Sequence, residues 1–338
     1  MSLRPLLQML WNGQLFPALA TNALYKPFYK LTFLAALKTS GLMEKLAQGP
    51  VPFQQLAGAG AADGKAVEAL QAWLRMGCRL GLLELGRDGY KLKRLARKLA
   101  RPENDAALAL AQEAASMHHR LITETPAKLR DGKLWDLDNQ DGELTARSSR
   151  ALEPFLVEAI TRFMPRNAPC SLLEVGCGSA VYIRHAARHN PRLTATGLEL
   201  QPRVAQVAQE NITAWGLQDR VTIATGDIRH MEAGQAFDWV TLYNNIYYFP
   251  VDERVALLAR IRQLLKPHGA LLLATCCQGG NPGMEALNLW GASNRHGGRL
   301  PGVDEMQQQL REAGYSHVET MRLIPGDCFF AFRAAVQA

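Results

Sequence analysis

The sequence predicts an α/β protein in which a parallel sheet fills the C-terminal half and a mostly helical region precedes it. Three observations carry this expectation. Short apolar runs at 170–175, 194–200, 221–228, 237–249 and 270–275 alternate with helical stretches, the pattern of strands buried on both faces. The first run, with Leu172, Leu173, Glu174 and Val175, ends in Gly176-Cys177-Gly178-Ser179, a turn that leads into a helix over Val181–His189. The stretch 31–100 reads as helices closed by a small hairpin.

The chain has 338 residues, 48% hydrophobic and 20% charged, a soluble globular composition with material for one large or two ordinary domains. A net charge of +7 leaves nucleic acid or an acidic partner open, but a solvated basic face is the simpler reading. Six cysteines at 78, 170, 177, 276, 277 and 328 form no C-x-x-C and no His/Cys cluster. Neither a disulfide framework nor a metal site is expected, and reduced thiols suit a cytosolic protein. The N-terminal apolar run is cut by Asn12, Gly13 and Pro17, so no signal peptide is read, and no stretch is long enough to span a membrane. The expected location is cytoplasmic.

Residues 1–30 form an apolar and aromatic arm, including Leu6, Leu10, Trp11, Phe16 and Tyr25, too small for a core of its own. A second copy of the chain is the expected surface for it. Leu34–Leu46, Phe53–Gly58 and Ala66–Leu80 read as helices, and Gly81–Leu92 as two strands around Arg87-Asp88-Gly89, together a winged-helix pattern. A DNA-reading helix would carry base-contacting side chains at its start. This one offers Ala66, Val67, Glu68, Ala69 and Leu70, which suit packing. The stretch 101–165 is mostly helical, with a polar interval at Asp131–Gly142 and the pair His118-His119. Further on, Arg254–Leu265 is a helix stopped by Pro267 and Gly269, Asp304–Ala313 is a helix ended by Gly314, and His317–Ile324 with Cys328–Val336 form a hairpin.

The ends of the strands carry the chemistry. Gly176 and Gly178 let a ligand approach the backbone, and the helix that follows presents its N-terminus. Glu199 ends the second strand, where a carboxylate can accept from both hydroxyls of a ribose. Asp227 ends the third and can accept from an adenine amino group, with Ile228 beside it to cover the ring. The fourth runs into Asn244-Asn245-Ile246-Tyr247-Tyr248-Phe249-Pro250. A nicotinamide-binding domain would want G-x-G-x-x-G, and Val181 holds the place of the last glycine.

In this order the motifs E-V-G-C-G-S, Glu199 and G-D-I resemble those of class I S-adenosylmethionine-dependent methyltransferases. With the winged-helix pattern before them, the chain resembles the small-molecule O-methyltransferases of plants and bacteria. The resemblance implies a Rossmann-like seven-stranded catalytic domain at 166–338 with a reversed last strand. It implies a helical arm and winged-helix dimerisation domain at 1–105, and connecting helices at 106–165 that roof the substrate site. It implies S-adenosylmethionine as cofactor, held by Glu174, Gly176, Gly178, Glu199, Asp227, Ile228 and Asn244. It implies a homodimer and a small aromatic or polyketide-like acceptor, with oxygen methylated ahead of carbon or nitrogen. No nucleic-acid partner is expected.

The family often has a His in the loop after the fourth strand, as in H-D-W-x-D-E or N-x-L-H-H-x-P. Here Tyr247 stands in its place and Tyr248 in the next. A phenol with a pKa near 10 is a poor base at neutral pH, so Tyr247 is expected to orient the acceptor, with His296 or His118 as proton acceptor. The alternatives are an acceptor that needs no base, or a methyltransferase fold turned to other chemistry. From another class, a DNA-binding regulator with a ligand-sensing Rossmann domain is the rival. His185 and His189, at i and i+4 with no third ligand, read as helix surface.

Overall fold

A computed structural model describes residues 3–58, 64–232, 234 and 236–337. The chain divides into two compact units: Met1–His119 with Asp141–Ala151, and Arg120–Gln140 with Leu152–Ala338. The stretch 106–165, read from the sequence as a connection, is shared between them.

In the first unit a helix runs over Leu15–Thr39 and a second over Leu42–Ala47. The single helix expected at Leu34–Leu46 is therefore two, because Gly41 adopts φ 72°, a left-handed conformation that ends the first. Strands β1 (Leu83–Gly86) and β2 (Gly89–Leu92) pair antiparallel around Arg87 and Asp88, and Val51 bridges to Tyr90. Phe33, Leu37, Met43, Leu74, Leu82 and Tyr90 form the unit's core. The helix Arg4–Trp11 buries no residue, and Leu15–Thr39 buries none before Phe33. Trp11 is 93% exposed and Phe16 80%.

The second unit is built on seven strands: β3 (Cys170–Val175), β4 (Leu193–Glu199), β5 (Val221–Thr225), β6 (Phe237–Tyr243), β7 (Leu265–Cys276), β8 (His317–Arg322) and β9 (Phe329–Ala335). Their order is β5-β4-β3-β6-β7-β9-β8. All pairings from β5 to β7 are parallel, and β9 runs antiparallel to both its neighbours, the reversed strand that the sequence resemblance implies. One core layer gathers Leu156, Ile160, Ile183 and Ile212; a second gathers Leu257, Ile261, Met306 and Leu310. This is the layered solution for a sheet whose strands are apolar on both sides.

Two expectations are corrected. Strand β7 starts at Leu265, directly after the helix Arg254–Leu264, so Pro267 and Gly269 lie inside the strand rather than ending the helix. The register against β6 shifts between Phe237 and Trp239, and such an irregularity accommodates both residues. A helix over Pro282–Ser293 also stands between β7 and the next helix, where no element is read from the sequence. Asn281 caps it by accepting from the N–H groups of Gly283 and Met284, with proline in the first turn.

Candidate active site

The strand order reverses between β3 and β6, so the loops leaving their carboxyl ends diverge and open a crevice. Gly176 follows β3 with φ 67°. A Cβ there would lie 2.6 Å from Nδ2 of Asn245, which itself donates to the carbonyl of Val175 at 2.6 Å. Only glycine permits this approach. Gly178, at φ 53°, has open space where a side chain would begin. Glu199 ends β4 and is 8% exposed. Its Oε2 accepts from the N–H of Gly178 at 3.0 Å and its Oε1 from that of Gln201 at 3.1 Å. Both oxygens are thereby oriented, and each keeps capacity for a further donor.

Among the described residues, three buried polar atoms without a hydrogen-bond partner occur at the ends of β3 and β6: Glu174 Oε2, Asn244 Oδ1 and Asn245 Oδ1. Glu174 and Thr241 are paired across the two strands, and Tyr243 stands two residues on, on the same face. Burial, reinforced by the charge of Glu199, holds the Glu174 carboxyl well above the usual carboxylate range. Burial, followed by the Glu174 charge, likewise raises the Tyr243 phenol. Unpartnered buried polar groups are rare in folded proteins, and such a cluster marks a ligand site. Two acids whose charges oppose each other here suit a positively charged ligand. S-adenosylmethionine fits this donor set, with an ammonium, a sulfonium and a ribose diol.

Asp227 follows β5 and accepts from the N–H of Arg229 at 2.9 Å and from its guanidinium at 2.7 Å. Burial works against its charge, but the Arg229 contacts prevail and lower its pKa. Ile228 is 2% exposed and packed in the second core layer. Beside Glu199, Leu200 is 52% exposed. An apolar side chain standing open next to this carboxylate is a candidate surface for a ring, and its place after Glu199 is the signal for it in the sequence. Asn244 holds φ 53°, with its N–H donating to the carbonyl of Ala274 at 2.7 Å.

Tyr247 lies in a short 3-10 turn, Ile246–Tyr248, and is buried, its ring 4.8 Å from that of Tyr248. The Tyr247 carbonyl accepts from the N–H of Gly298 at 2.9 Å, so the loop that carries His296 rests on the loop that carries Tyr247. His296 is exposed, and its N–H donates to Asn294 Oδ1 at 3.0 Å. His118 belongs to the first unit, at the end of a π-helical turn over Ala114–His118. Burial lowers its pKa, against the opposing charge of Glu113. His185 and His189 are not helix surface: both are half-buried. Nε2 of His185 pairs with Glu153 Oε1 at 2.8 Å, and Nε2 of His189 with the Met164 carbonyl at 3.1 Å. They brace the helices Glu153–Phe163 and Val181–His189 together. Among the described residues no three His, Cys, Asp or Glu side chains are gathered as a metal would need, and no helix is long and apolar enough to cross a membrane.

Comparison with known proteins agrees with this geometry. Residues 172–269 match the methyltransferase-domain family. Demethylspheroidene O-methyltransferase of Cereibacter sphaeroides is 28% identical over 311 residues, spanning 87% of this chain and 79% of that one. The tetracenomycin polyketide synthesis 8-O-methyl transferase of Streptomyces glaucescens is 30% identical over 154 residues, 44% of this chain and 45% of its own. Among solved structures, mitomycin 7-O-methyltransferase matches with a TM-score of 0.77 at 19% identity, covering 96% of this chain and 99% of its own. Human N-acetylserotonin methyltransferase, solved with S-adenosylmethionine, matches with a TM-score of 0.73 at 16% identity, covering 95% and 98%. At these identities the two structures speak for the fold.

Proposed function

The chain belongs to the class I S-adenosylmethionine-dependent methyltransferases, and on that premise we propose that it methylates an oxygen of a small aromatic or polyketide-like metabolite. The observation that supports a working site is the set of unpartnered buried polar atoms at the reversal between β3 and β6. The acceptor class rests on the relatives, which are named for methylating demethylspheroidene and a tetracenomycin polyketide.

When bound, the cofactor supplies an electrophilic methyl group on sulfur. Glu199 would hold the ribose diol, its two oxygens already aimed by Gly178 and Gln201. Glu174 and Asn244 would receive the charged amino-acid end, and Asp227 with Ile228 would take the adenine. Gly176 and Gly178 keep side chains out of its path. Tyr247 orients the acceptor oxygen through its hydroxyl, because alignment needs no shifted pKa. His296 takes the acceptor's proton on a ring nitrogen and passes it to solvent. His118 is the further candidate base, since burial favours the neutral imidazole that proton transfer requires.

The reading includes a cytoplasmic homodimer formed through residues 1–105, in which a second copy covers the exposed arm. It includes no nucleic-acid partner, and relatives that are themselves methyltransferases do not favour a DNA-binding regulator. A labelled-methyl assay over hydroxylated aromatics, polyketides and carotenoids tests it. Transfer to a hydroxyl oxygen is the expected result. Tight S-adenosylhomocysteine binding with no transfer to any class would point instead to a repurposed fold.

A further inference from the structure

Arg254 opens the helix Arg254–Leu264 and is fully buried, at 0% exposure. A buried guanidinium is normally matched by a carboxylate. Glu305, the acid whose charge acts on Arg254, is instead engaged by Arg299 in a two-pronged pair at 2.6 and 2.8 Å. Two of Arg254's nitrogens donate to backbone, Nε to the carbonyl of Phe249 at 3.2 Å and Nη2 to the carbonyl of Arg299 at 2.6 Å, while Nη1 finds no hydrogen-bond partner among the described residues. Phe249 closes the turn that holds Tyr247, and Arg299 closes the loop that holds His296.

The packing between the two loops leaves no slack. A Cβ on Gly298 would lie 2.8 Å from Arg254 Nη2 and 3.0 Å from the Phe249 carbonyl oxygen. A Cβ on Gly291 would lie 2.4 Å from the Gly298 carbonyl oxygen and 3.5 Å from Tyr247 Cβ. The far end of the His296 loop is tied as well, since the Trp135 N–H donates to Ser293 at 2.9 Å and the Arg295 N–H donates to Trp135 at 2.8 Å. An apolar side chain of similar volume would leave the carbonyls of Phe249 and Arg299 without this donor. It could fill the space, but it could not hold two carbonyls at a fixed separation. The planar fork of arginine can.

We propose that Arg254 is a positioning residue for methyl transfer, locking the Tyr247 loop to the His296 loop so that the acceptor meets one rigid wall. This rests on the reading of the crevice as the site of methyl transfer. Two variants approach the lock from opposite sides. Arg254→Lys keeps the charge and can reach only one carbonyl; Gly298→Ala leaves Arg254 intact and forces its guanidinium away. Amide hydrogen exchange is measured on each with and without S-adenosylhomocysteine, together with its affinity by calorimetry. In both variants the amides of Gly298 and of 246–249 should exchange about tenfold faster together, while those of central strands β6 and β7 keep their rates. Affinity for S-adenosylhomocysteine should stay within about twofold, because the lock touches no cofactor residue. With an acceptor from the labelled-methyl assay, kcat should fall about tenfold at saturating cofactor. Unchanged exchange in either loop, or a rise spread evenly through β6 and β7, overturns the proposal. Wild type that fails to bind S-adenosylhomocysteine would sink the methyl-transfer reading instead, and the exchange pattern would still report on the lock.

Discussion

Replacing Glu199 by Gln preserves the side chain's size and removes its charge. In the native crevice Oε2 faces the Gly178 N–H and Oε1 the Gln201 N–H. A primary amide offers one oxygen and one NH2, so in either orientation a donor points at a backbone donor. One bond is lost, and a partly buried N–H is left unmet, a change of about 1–3 kcal/mol against folding. Cofactor binding loses more specifically. A carboxylate can accept from both ribose hydroxyls and the amide from one, and a hydrogen bond to a charged group contributes about 1.5–3 kcal/mol. At about 1.4 kcal/mol per tenfold, the dissociation constant for S-adenosylhomocysteine should rise roughly 10- to 150-fold. Calorimetry on protein shown folded by its melting curve measures this. An unchanged constant would remove the ribose assignment, and a loss confined to melting temperature would reduce Glu199 to a brace between β3 and β4.

Glu174 carries a pH prediction. Its folded-state pKa is raised, so the folded protein holds a proton that the unfolded chain releases. Stability of the ligand-free protein is therefore fully present below the ordinary carboxylate range and falls as pH rises through it toward the folded pKa. Glu174→Gln should flatten that slope in thermal melts taken across about pH 4 to 8 and weaken cofactor binding about tenfold, whereas a slope that persists places the proton elsewhere. Tyr247→Phe should lower turnover about tenfold with cofactor affinity intact, and His296→Ala should cut the rate further on the alkaline side; wild-type rates at every pH would make Tyr247 a wall residue only. Removing residues 1–30 should give monomer or aggregate by light scattering, and an unchanged soluble dimer would rule the arm out as the main contact.

The strands were legible because burial on both faces writes them as apolar runs, and Val181–His189 was legible because glycines fix its start. The helix Pro282–Ser293 escaped because Gly283 and Gly291 break its apolar period, while its polar face is marked only by Glu285 and Asn288. The cap Asn281-Pro282 was its remaining signal. At the site, Glu174 and Glu199 stood out as acids beside glycines. Thr241 and Tyr243 did not, since alternate positions in an apolar strand look like core, and only the pairing of Thr241 with Glu174 across the strands shows otherwise. The pairing of His185 with Glu153 joins residues 32 apart and leaves no local trace.

Tyr247 makes the same point about the reaction itself. A family that commonly places a His here would be expected to lose its base when a phenol replaces it, and bringing a phenol from a pKa near 10 to near 7 needs about 4 kcal/mol of differential stabilisation. What surrounds this phenol is geometry. Its backbone carbonyl is held by Gly298, its turn by Arg254 through Phe249, and its ring lies 4.8 Å from Tyr248. Each restraint narrows where the hydroxyl can be. Fixing an acceptor within reach of an activated methyl group can supply several kcal/mol of the barrier by orientation alone. The restraints come from residues up to 51 positions away, so the Tyr247 segment by itself shows only a missing base, and the proposal that a rigid hydrogen-bonding surface takes its place rests on the folded chain.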